Sequence, residues 1–451
     1  MSRMASKAIL VHLESISLVF YTLDLSSQHN YQQMIKHIAV CTPSWPPGSL
    51  SNGIVTYSGY IAEELNKSGL VPHIVVDSKN YFGHSDVYVD IDIHTYPSRL
   101  ESSNIIQKIE RQLGFYFDKN YIFQESVHLL SKAIGQIEKS FVLDIVEIEE
   151  SFGKPYWLQS LISTPIVTRL HGPHFLNAIN NGIPQDQQFH WRVQNEGRAI
   201  KQAIGVSAPS QNVLTETQNY YQFDLENAVV IPNPIEATTP EKRWKYQSCQ
   251  PRQIAFIGRF DRHKGGDIML EAFKAALDVY PDLTLCFAGT DPGLLDEGGR
   301  LWPLKEYLAN FFPDHVIHSQ LKILGRLTSS EAKQLRLDSC ITIIPSRYDN
   351  FPYTALESIS QGCPTIAANV GGIKEIVNHG HNGLLFEAGN AKDLTAKILQ
   401  LIDNPGFATE LGSMAAVDCQ GRFSPSAIVQ QTLDYYNEVK KRWQTKPKGP
   451  Q

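Results

Sequence analysis

Four charged side chains and one histidine in this sequence are spaced to do chemistry together. Asp349 and Glu357 are separated by seven residues within SRYDNFPYTALESISQGCPTIAANVGGIKEIVNHGHNG, and Arg259 and Lys264 share the turn GRFDRHKGG. Carboxylates accept from sugar hydroxyls, whereas cations and free backbone N–H groups meet phosphates, so the set suits a polyhydroxylated, phosphorylated ligand. The two carboxylates alone would also fit the acid/base couple of a hydrolase. The cations change that reading. Arg259 and Lys264, beside Gly258, Gly265, Gly266 and the coming helix start, can hold a diphosphate and stabilise its charge as it leaves. Glu357 is then placed to receive two ribose hydroxyls. Asp349, with the backbone of Asn350 and Phe351 after it, is placed to meet the sugar. The turn is neither GxGxxG nor GxxxxGK[ST], so the usual dinucleotide and triphosphate fingerprints are absent.

The histidine lies in the other half of the chain. The apolar run IVTRL delivers His171-Gly172-Pro173-His174 at its end, where an imidazole can approach a bound sugar near neutral pH. A packed turn histidine is the plainer alternative, and the stronger one for His174. Arg169 shares strand parity with His171 and is a secondary candidate for balancing substrate charge. Asn52 and Gly53 mark either a tight turn or a helix N-terminus that a phosphate or substrate approaches. Glu147 and Glu150 could serve acceptor hydroxyls, although charged loop residues are more often solvated.

All of these residues follow short apolar runs, which identifies the elements that must position them. HIAVCTP, a helix over 56–68 and VPHIVVD make a βαβ opening. From residue 253 the pattern repeats with QIAFIGR, DIMLEAFKAALDVY, LTLCFAG, VIHSQLKILG, EAKQLRLD and CITIIPS. Alternating strands and helices predict an α/β fold of two Rossmann-like, doubly wound domains facing across a crevice, with ligands at the carboxyl ends of the strands. We expect an N-terminal arm or extra strand over 1–36, one domain over 37–235, a second over 236–422, and a helix returning toward domain one plus a tail over 423–451. YVDIDIHTYP reads as a small antiparallel excursion, RLESSNIIQKIERQLGFYF as a mixed helix, and VIHSQLKILG as a strand. Pro232 and Pro234 suggest a solvent-exposed hinge that lets the domains close and exclude water. Gly371 and Gly372 continue the pocket, and Glu375 reads as a charge at the start of its own helix.

Composition narrows the class further. A formal net charge of −6 argues against a protein that wraps nucleic acid. Cys41, Cys249, Cys286, Cys340, Cys363 and Cys419 lack paired spacing and read as reduced thiols of a cytoplasmic protein rather than a disulfide scaffold or zinc knuckle. His12, Glu14 and Asp24 interrupt the apolar N-terminus, which reads as an arm rather than an export signal. No stretch approaches the roughly 20 apolar residues of a membrane span.

GRFDRHKGG, DNFPYTALE, GCPTIAANVGGIKEIV and NGLLF together resemble the retaining GT-B glycosyltransferases of the glycogen-synthase-like and lipopolysaccharide-glycosyltransferase-like group, over about residues 38–443. The resemblance implies a nucleotide-diphosphate sugar held by the C-terminal domain, with UDP-sugar favoured over GDP-mannose or ADP-glucose. It implies a carbohydrate, lipid-linked or small hydroxyl acceptor on the N-terminal domain, no cofactor and no metal. A lipid-linked acceptor would bring peripheral contact with the inner face of a membrane. By motif, Arg259 and Lys264 correspond to the diphosphate clamp, Glu357 to the ribose ligand, Asp349 to the donor-sugar contact, His171 to the strand-end histidine, and Gly53 to the loop glycine between donor and acceptor. The family usually has Glu at the first acidic position and Phe-Gly soon after, where this chain has Asp349 and Phe351-Pro352. The same architecture also serves phosphorylases, epimerases and noncatalytic sugar-nucleotide-binding proteins.

Overall fold

The computed structural model describes residues 35–446 except 50–51, 84–87, 89, 98–120, 297 and 314. Almost all of the expected arm, and the mixed helix expected near residue 110, lie outside the described residues. The first sheet has the order β3-β2-β1-β4-β5-β6-β7, with β1 His37–Thr42, β2 Val71–Asp77, β3 Asp92–Tyr96, β4 Ile145–Glu149, β5 Ile166–Arg169, β6 Gly205–Ala208 and β7 Ala228–Val230. Every neighbouring pair is parallel, so helices must cover both faces. The strands are apolar on both: Ile38, Val40, Ile74 and Val76 enter one layer, and Ala39, Val75, Val146 and Ile148 the other, none more than 2% exposed. Helix α1 (Gly53–Lys67) lays Tyr57, Ile61 and Leu65 on the first layer, and the Asn52 side chain caps it by accepting from the Ile54 N–H. Helix α2 (Gln211–Tyr221) follows β6.

One strand departs from expectation. YVDIDIHTYP supplies β3, but β3 pairs with β2 in parallel, His73 opposite Asp92 and Asp77 opposite Tyr96. Side-chain alternation has the same period in both kinds of ladder, so it carries no information on strand direction.

The second sheet has the order β12-β9-β8-β13-β14-β15, with β8 Gln250–Ile257, β9 Thr284–Ala288, β12 Leu321–Gly325, β13 Ser339–Ile344, β14 Thr365–Ala368 and β15 Leu384–Phe386. A small antiparallel hairpin, β10 Leu294–Leu295 and β11 Leu301–Trp302, is inserted after β9. The helices that position the site here are α3 (Gly266–Leu277), α4 (Ser329–Asp338), α5 (Tyr353–Ser360) and α6 (Ile373–Ile376). Phe256, Phe260, Phe273, Phe287 and Phe386 form the heart of this half, each at most 1% exposed. VIHSQLKILG is only half a strand, because His315–Gln320 is helical. Ile317, 1% exposed, anchors this helical turn on the second core, and the strand that follows is the exposed edge of the sheet, with Ile323 and Leu324 54% and 41% exposed.

Two long helices close the chain. Helix α7 (Pro405–Phe423) packs Ala415, Cys419 and Phe423 on the second half, and α8 (Pro425–Thr445) crosses to the first, where Ile428, Tyr436 and Val439 join the layer of α1. A Cβ on Gly205 would lie 2.4 Å from the Val439 Cγ2, so the bare glycine lets α8 seat against β6. The connection at residues 231–238 is not the solvent-exposed hinge that its prolines suggest. Ile231, Asn233 and Ile235 are 2%, 6% and 4% exposed, and the Ile235 N–H donates to the Phe423 carbonyl at 2.8 Å. Chain passing between two cores must pair the donors it keeps, and proline reduces how many there are. None of the described helices is long and apolar enough to cross a membrane.

Candidate active site

The loops at the carboxyl ends of the two sheets touch. Asn350 Nδ2 donates to Asn177 Oδ1 at 2.9 Å, Ser210 Oγ to the Asn350 carbonyl at 3.0 Å, and Tyr348 Oη to Asn212 Oδ1 at 2.9 Å. Gly172, at φ +138°, would place a Cβ 2.0 Å from Asn350 Nδ2, so a side chain there would hold the halves apart. Gly53 faces Tyr353 of α5, with room for a Cβ at 3.6 Å from the ring. The carboxylate of Glu375 does not serve its own helix. It accepts the N–H groups of Gln211 and Asn212, both at 2.8 Å, and so caps α2 in the opposite half. With only four residues, α6 offers little dipole to complement, whereas α2 is an eleven-residue helix whose first two N–H groups are left to Glu375 once Ser210 has capped that of Val213.

In the second half, ion pairs hold the loops after β8 and β13 together. Lys264 Nζ lies 2.6 Å from Asp349 Oδ2, and Arg259 Nε lies 2.8 Å from Asp261 Oδ2. Asp261 also accepts the Lys264 N–H at 2.8 Å, so one carboxylate spaces the two cations. Arg347 grips Asp267 with two bonds of 2.8 and 2.6 Å, and its N–H donates to the His263 carbonyl at 2.9 Å. Backbone meets backbone at the glycines: a Cβ would lie 1.9 Å from the Pro345 oxygen at Gly265 and 2.1 Å from the Asp349 oxygen at Gly371. Gly371 and Gly372 therefore carry the acidic loop from beneath. Glu357 pairs with Arg336 of α4, which is 2% exposed, while about a third of the Glu357 side chain stays open. Gly258 lies under Lys264, whose Cβ would be 3.5 Å from a Cβ added there. Phe351 contributes to the loop through its backbone alone. Its ring is 5% exposed and packs on Phe423, so the side chain belongs to the core and only its carbonyl is engaged at the loop, by Asn233.

In the first half, buried carboxylates hold the loops. Glu150 accepts the N–H groups of His171 and Gly172 at 3.0 and 2.9 Å, and Glu196 those of Phe152 and His174 at 3.0 and 2.6 Å. Glu147 receives the hydroxyls of Tyr57 and Tyr436. Glu147 and Glu150 are 3% and 2% exposed, so neither is solvated nor open to an acceptor, because a loop on a parallel sheet needs its donors satisfied inside. Burial, and next the charge of Glu196, push Glu150 up to about 8. Arg169 is 1% exposed, stacks on Tyr57 and donates to Asn233 through Nη2, which makes it an internal strut, with its Nε and Nη1 buried and without a hydrogen-bond partner. Burial, then the neighbouring Arg169 charge, hold the His171 imidazole well below its usual range, so it is neutral at physiological pH. Its ring meets Tyr57 edge-on at 5.0 Å. Burial, then Arg192, lower His174 to about 4.

Lys264, Asp349 and Asn350 are thus in one cluster with the backbone beside His171, whereas Arg259 and Glu357 are paired with their own neighbours at its flanks. Asp261, Asp267, Arg336 and Arg347 escaped sequence reading, although charged residues beside glycine turns at strand ends are a usable signal. A polar pocket also opens at the carboxyl edge of the first sheet, taking Thr42, Asp77, Tyr96 and Glu149 from the ends of β1 to β4, with Asn80 and Lys154.

The family model for group 1 glycosyl transferases matches residues 238–417, the stretch holding every ion pair described above. An uncharacterised glycosyltransferase of Methanocaldococcus jannaschii is 30% identical over 283 residues, covering 62% of this chain and 71% of that protein. Sucrose-phosphate synthase from Thermosynechococcus elongatus superimposes with a TM-score of 0.67 at 16% identity, over 90% of this chain and 99% of that one. Anabaena HepE, solved with UDP-glucose, does so with a TM-score of 0.61 at 18% identity, over 89% and 99%. Two parallel sheets meeting at their carboxyl edges, a cationic turn facing an acidic loop, and these matches identify the chain as a GT-B enzyme of the group 1, glycogen-synthase-like glycosyltransferases, which move a glycosyl group from a nucleotide-diphosphate sugar to a hydroxyl acceptor.

Proposed function

We propose that the enzyme retains the anomeric configuration of a UDP-sugar donor and needs no metal for the transfer. The observation that carries this reading is the Lys264–Asp349 contact at 2.6 Å, where the loops after β8 and β13 meet beside Arg259. An incoming diphosphate competes with Asp349 for Lys264 and frees that carboxylate for the hydroxyls of the donor sugar. His263 Nδ1 and Asn350 Oδ1, both buried without hydrogen-bond partners, are polar atoms that a ligand in this cluster would satisfy. Glu357 receives the ribose from its open side. The similar fold of HepE, solved with UDP-glucose, supports the choice of base.

Glu150 is engaged with two backbone donors, and Asp349, once released from Lys264, is taken by the hydroxyls of the sugar, which disfavours a covalent glycosyl-enzyme. In the favoured path, the bond from the anomeric carbon to the phosphate oxygen breaks with its electrons going to the diphosphate. The acceptor hydroxyl attacks from that same face and passes its proton to the departing phosphate oxygen. Arg259 and Lys264 stabilise the charge that develops. Neutral His171 orients the sugar without adding a charge. The acceptor enters from the first half, and the pocket lined by Asp77, Asn80 and Lys154 suits a hydroxylated molecule. A screen of activated donors against hydroxyl acceptors, with the new linkage assigned by NMR, tests the proposal. Retention with a UDP-sugar in the presence of excess chelator is expected; inversion of configuration overturns it.

A further inference from the structure

At the amino ends of the first three strands, opposite the cleft, lies a second cluster that the transfer reaction does not use. His73 of β2 and Asp92 and His94 of β3 offer three ligand atoms within 4.8 Å of one another. His73 Nδ1 is 3.2 Å from His94 Nε2 and 3.5 Å from Asp92 Oδ2. Tetrahedral zinc with bonds of about 2.0–2.1 Å to nitrogen and oxygen sets its ligand atoms roughly 3.3 Å apart, so both separations match that spacing. The parallel register of β2 and β3 produces the convergence, placing Asp92 directly opposite His73 and His94 two residues further along the same face.

The surroundings also fit a metal site. The other nitrogen of His73, Nε2, lies 3.0 Å from His37 Nδ1, the outer-shell partner that fixes which nitrogen faces an ion. His37 is itself stacked between His73 and Phe141, with ring centroids 5.3 and 4.8 Å away. His73 is fully buried while the Asp92 side chain is 54% exposed, so the cluster has a rigid base, an entry path and room for water as a fourth ligand. In a metal-free cluster one proton on His73 Nδ1 would face both an imidazole nitrogen and a carboxylate oxygen and could serve only one well.

We propose that His73, Asp92 and His94 bind one zinc-class divalent cation that pins the edge strand β3 to β2 and β1. The site is separate from the cleft and its role is structural. The test uses the tag-free full chain, stripped with chelator, dialysed and titrated with Co²⁺, followed by Zn²⁺ competition. Uptake of one equivalent with the intense visible absorption of a four- or five-coordinate ion is expected, together with a rise in melting temperature on adding Zn²⁺. Asp92→Ala/His94→Ala, with both changes on the partly exposed edge strand, should lose the band and the rise while keeping its circular dichroism. His37→Phe, which removes only the outer partner, should retain the band with roughly 10- to 100-fold weaker affinity. Failure of the parent chain to take up Co²⁺, a weak octahedral spectrum, or the same uptake in the double variant would each overturn the site.

Discussion

The two halves hold their cleft loops by opposite means. In the first, Glu150 and Glu196 are almost wholly buried and spend their oxygens mainly on backbone N–H groups. In the second, Lys264–Asp349, Arg259–Asp261 and Arg347–Asp267 do the same work while keeping some side-chain surface in solvent. A buried carboxylate that accepts backbone donors cannot change partner without leaving those donors unsatisfied, at about 1–3 kcal/mol each. A partly exposed ion pair is weak enough in water to be exchanged for a better one. The first half therefore offers a fixed wall with a neutral imidazole, and the second offers charges that an anionic donor can recruit.

The largest expected effect follows from that recruitable pair. Lys264→Ala should lower kcat/KM by roughly 10²–10³-fold, the loss usual for a donor to developing charge, with little change in melting temperature. Glu150→Ala should do the reverse in emphasis. It strips two buried backbone donors of their acceptor and should cost on the order of 2–6 kcal/mol of stability, read by urea unfolding. If Lys264→Ala instead unfolds the protein and leaves the specific activity of the folded fraction intact, the contrast between the halves fails.

The pH response should separate the halves as well. Glu150 is raised to about 8 from an ordinary 4.5, so the folded state holds its proton more tightly and stability from this group is present at low pH and lost as pH rises through 8. His174 is lowered to about 4 from 6.5, so its contribution is present above pH 6.5 and lost as pH falls through 4. Between pH 6.5 and 8 only the Glu150 effect operates of these two, with a decline of up to about 1.4 kcal/mol per pH unit. Fluorescence from Trp157 and Trp191 should report that decline in the first half, with Trp244 and Trp302 reporting the second. Glu150→Gln should flatten the slope; an unchanged slope in that variant would assign the titration elsewhere.

What the sequence disclosed depended on how local the cause was. Strands in a two-faced parallel sheet are nearly continuous apolar runs, so the repeating α/β pattern and the turn GRFDRHKGG were readable. Lys264 and Asp349 could each be singled out, but their contact joins residues 85 positions apart and needs the order of β8 and β13 to be known. Direction was hidden in β3, because alternation is the same in both ladders. Glu147 and Glu150 looked solvated because their partners are backbone donors and tyrosines distant in the chain. Pro232 and Pro234 looked like exposed punctuation because nothing local announces that the Ile235 N–H finds the Phe423 carbonyl.

Glu375 is the exception that sharpens the comparison, since it is a second-half carboxylate spent on backbone donors like those of the first half. Its oxygens accept from Gln211 and Asn212 across the cleft, while Ser210, the cap of α2, serves the third donor, Val213. The contact can exist only when the halves are together, so its free energy adds to closure and not to the stability of either half. Glu375→Gln keeps one acceptor oxygen and removes the charge that complements the helix start, a loss of about 0.5–1 kcal/mol. That corresponds to a shift of roughly two- to fivefold toward the open arrangement. Because a donor that binds the closed form must supply the difference, its KM should rise by about that factor, with kcat and melting temperature nearly unchanged. A fall in melting temperature without a change in KM would place Glu375 among the ordinary helix caps.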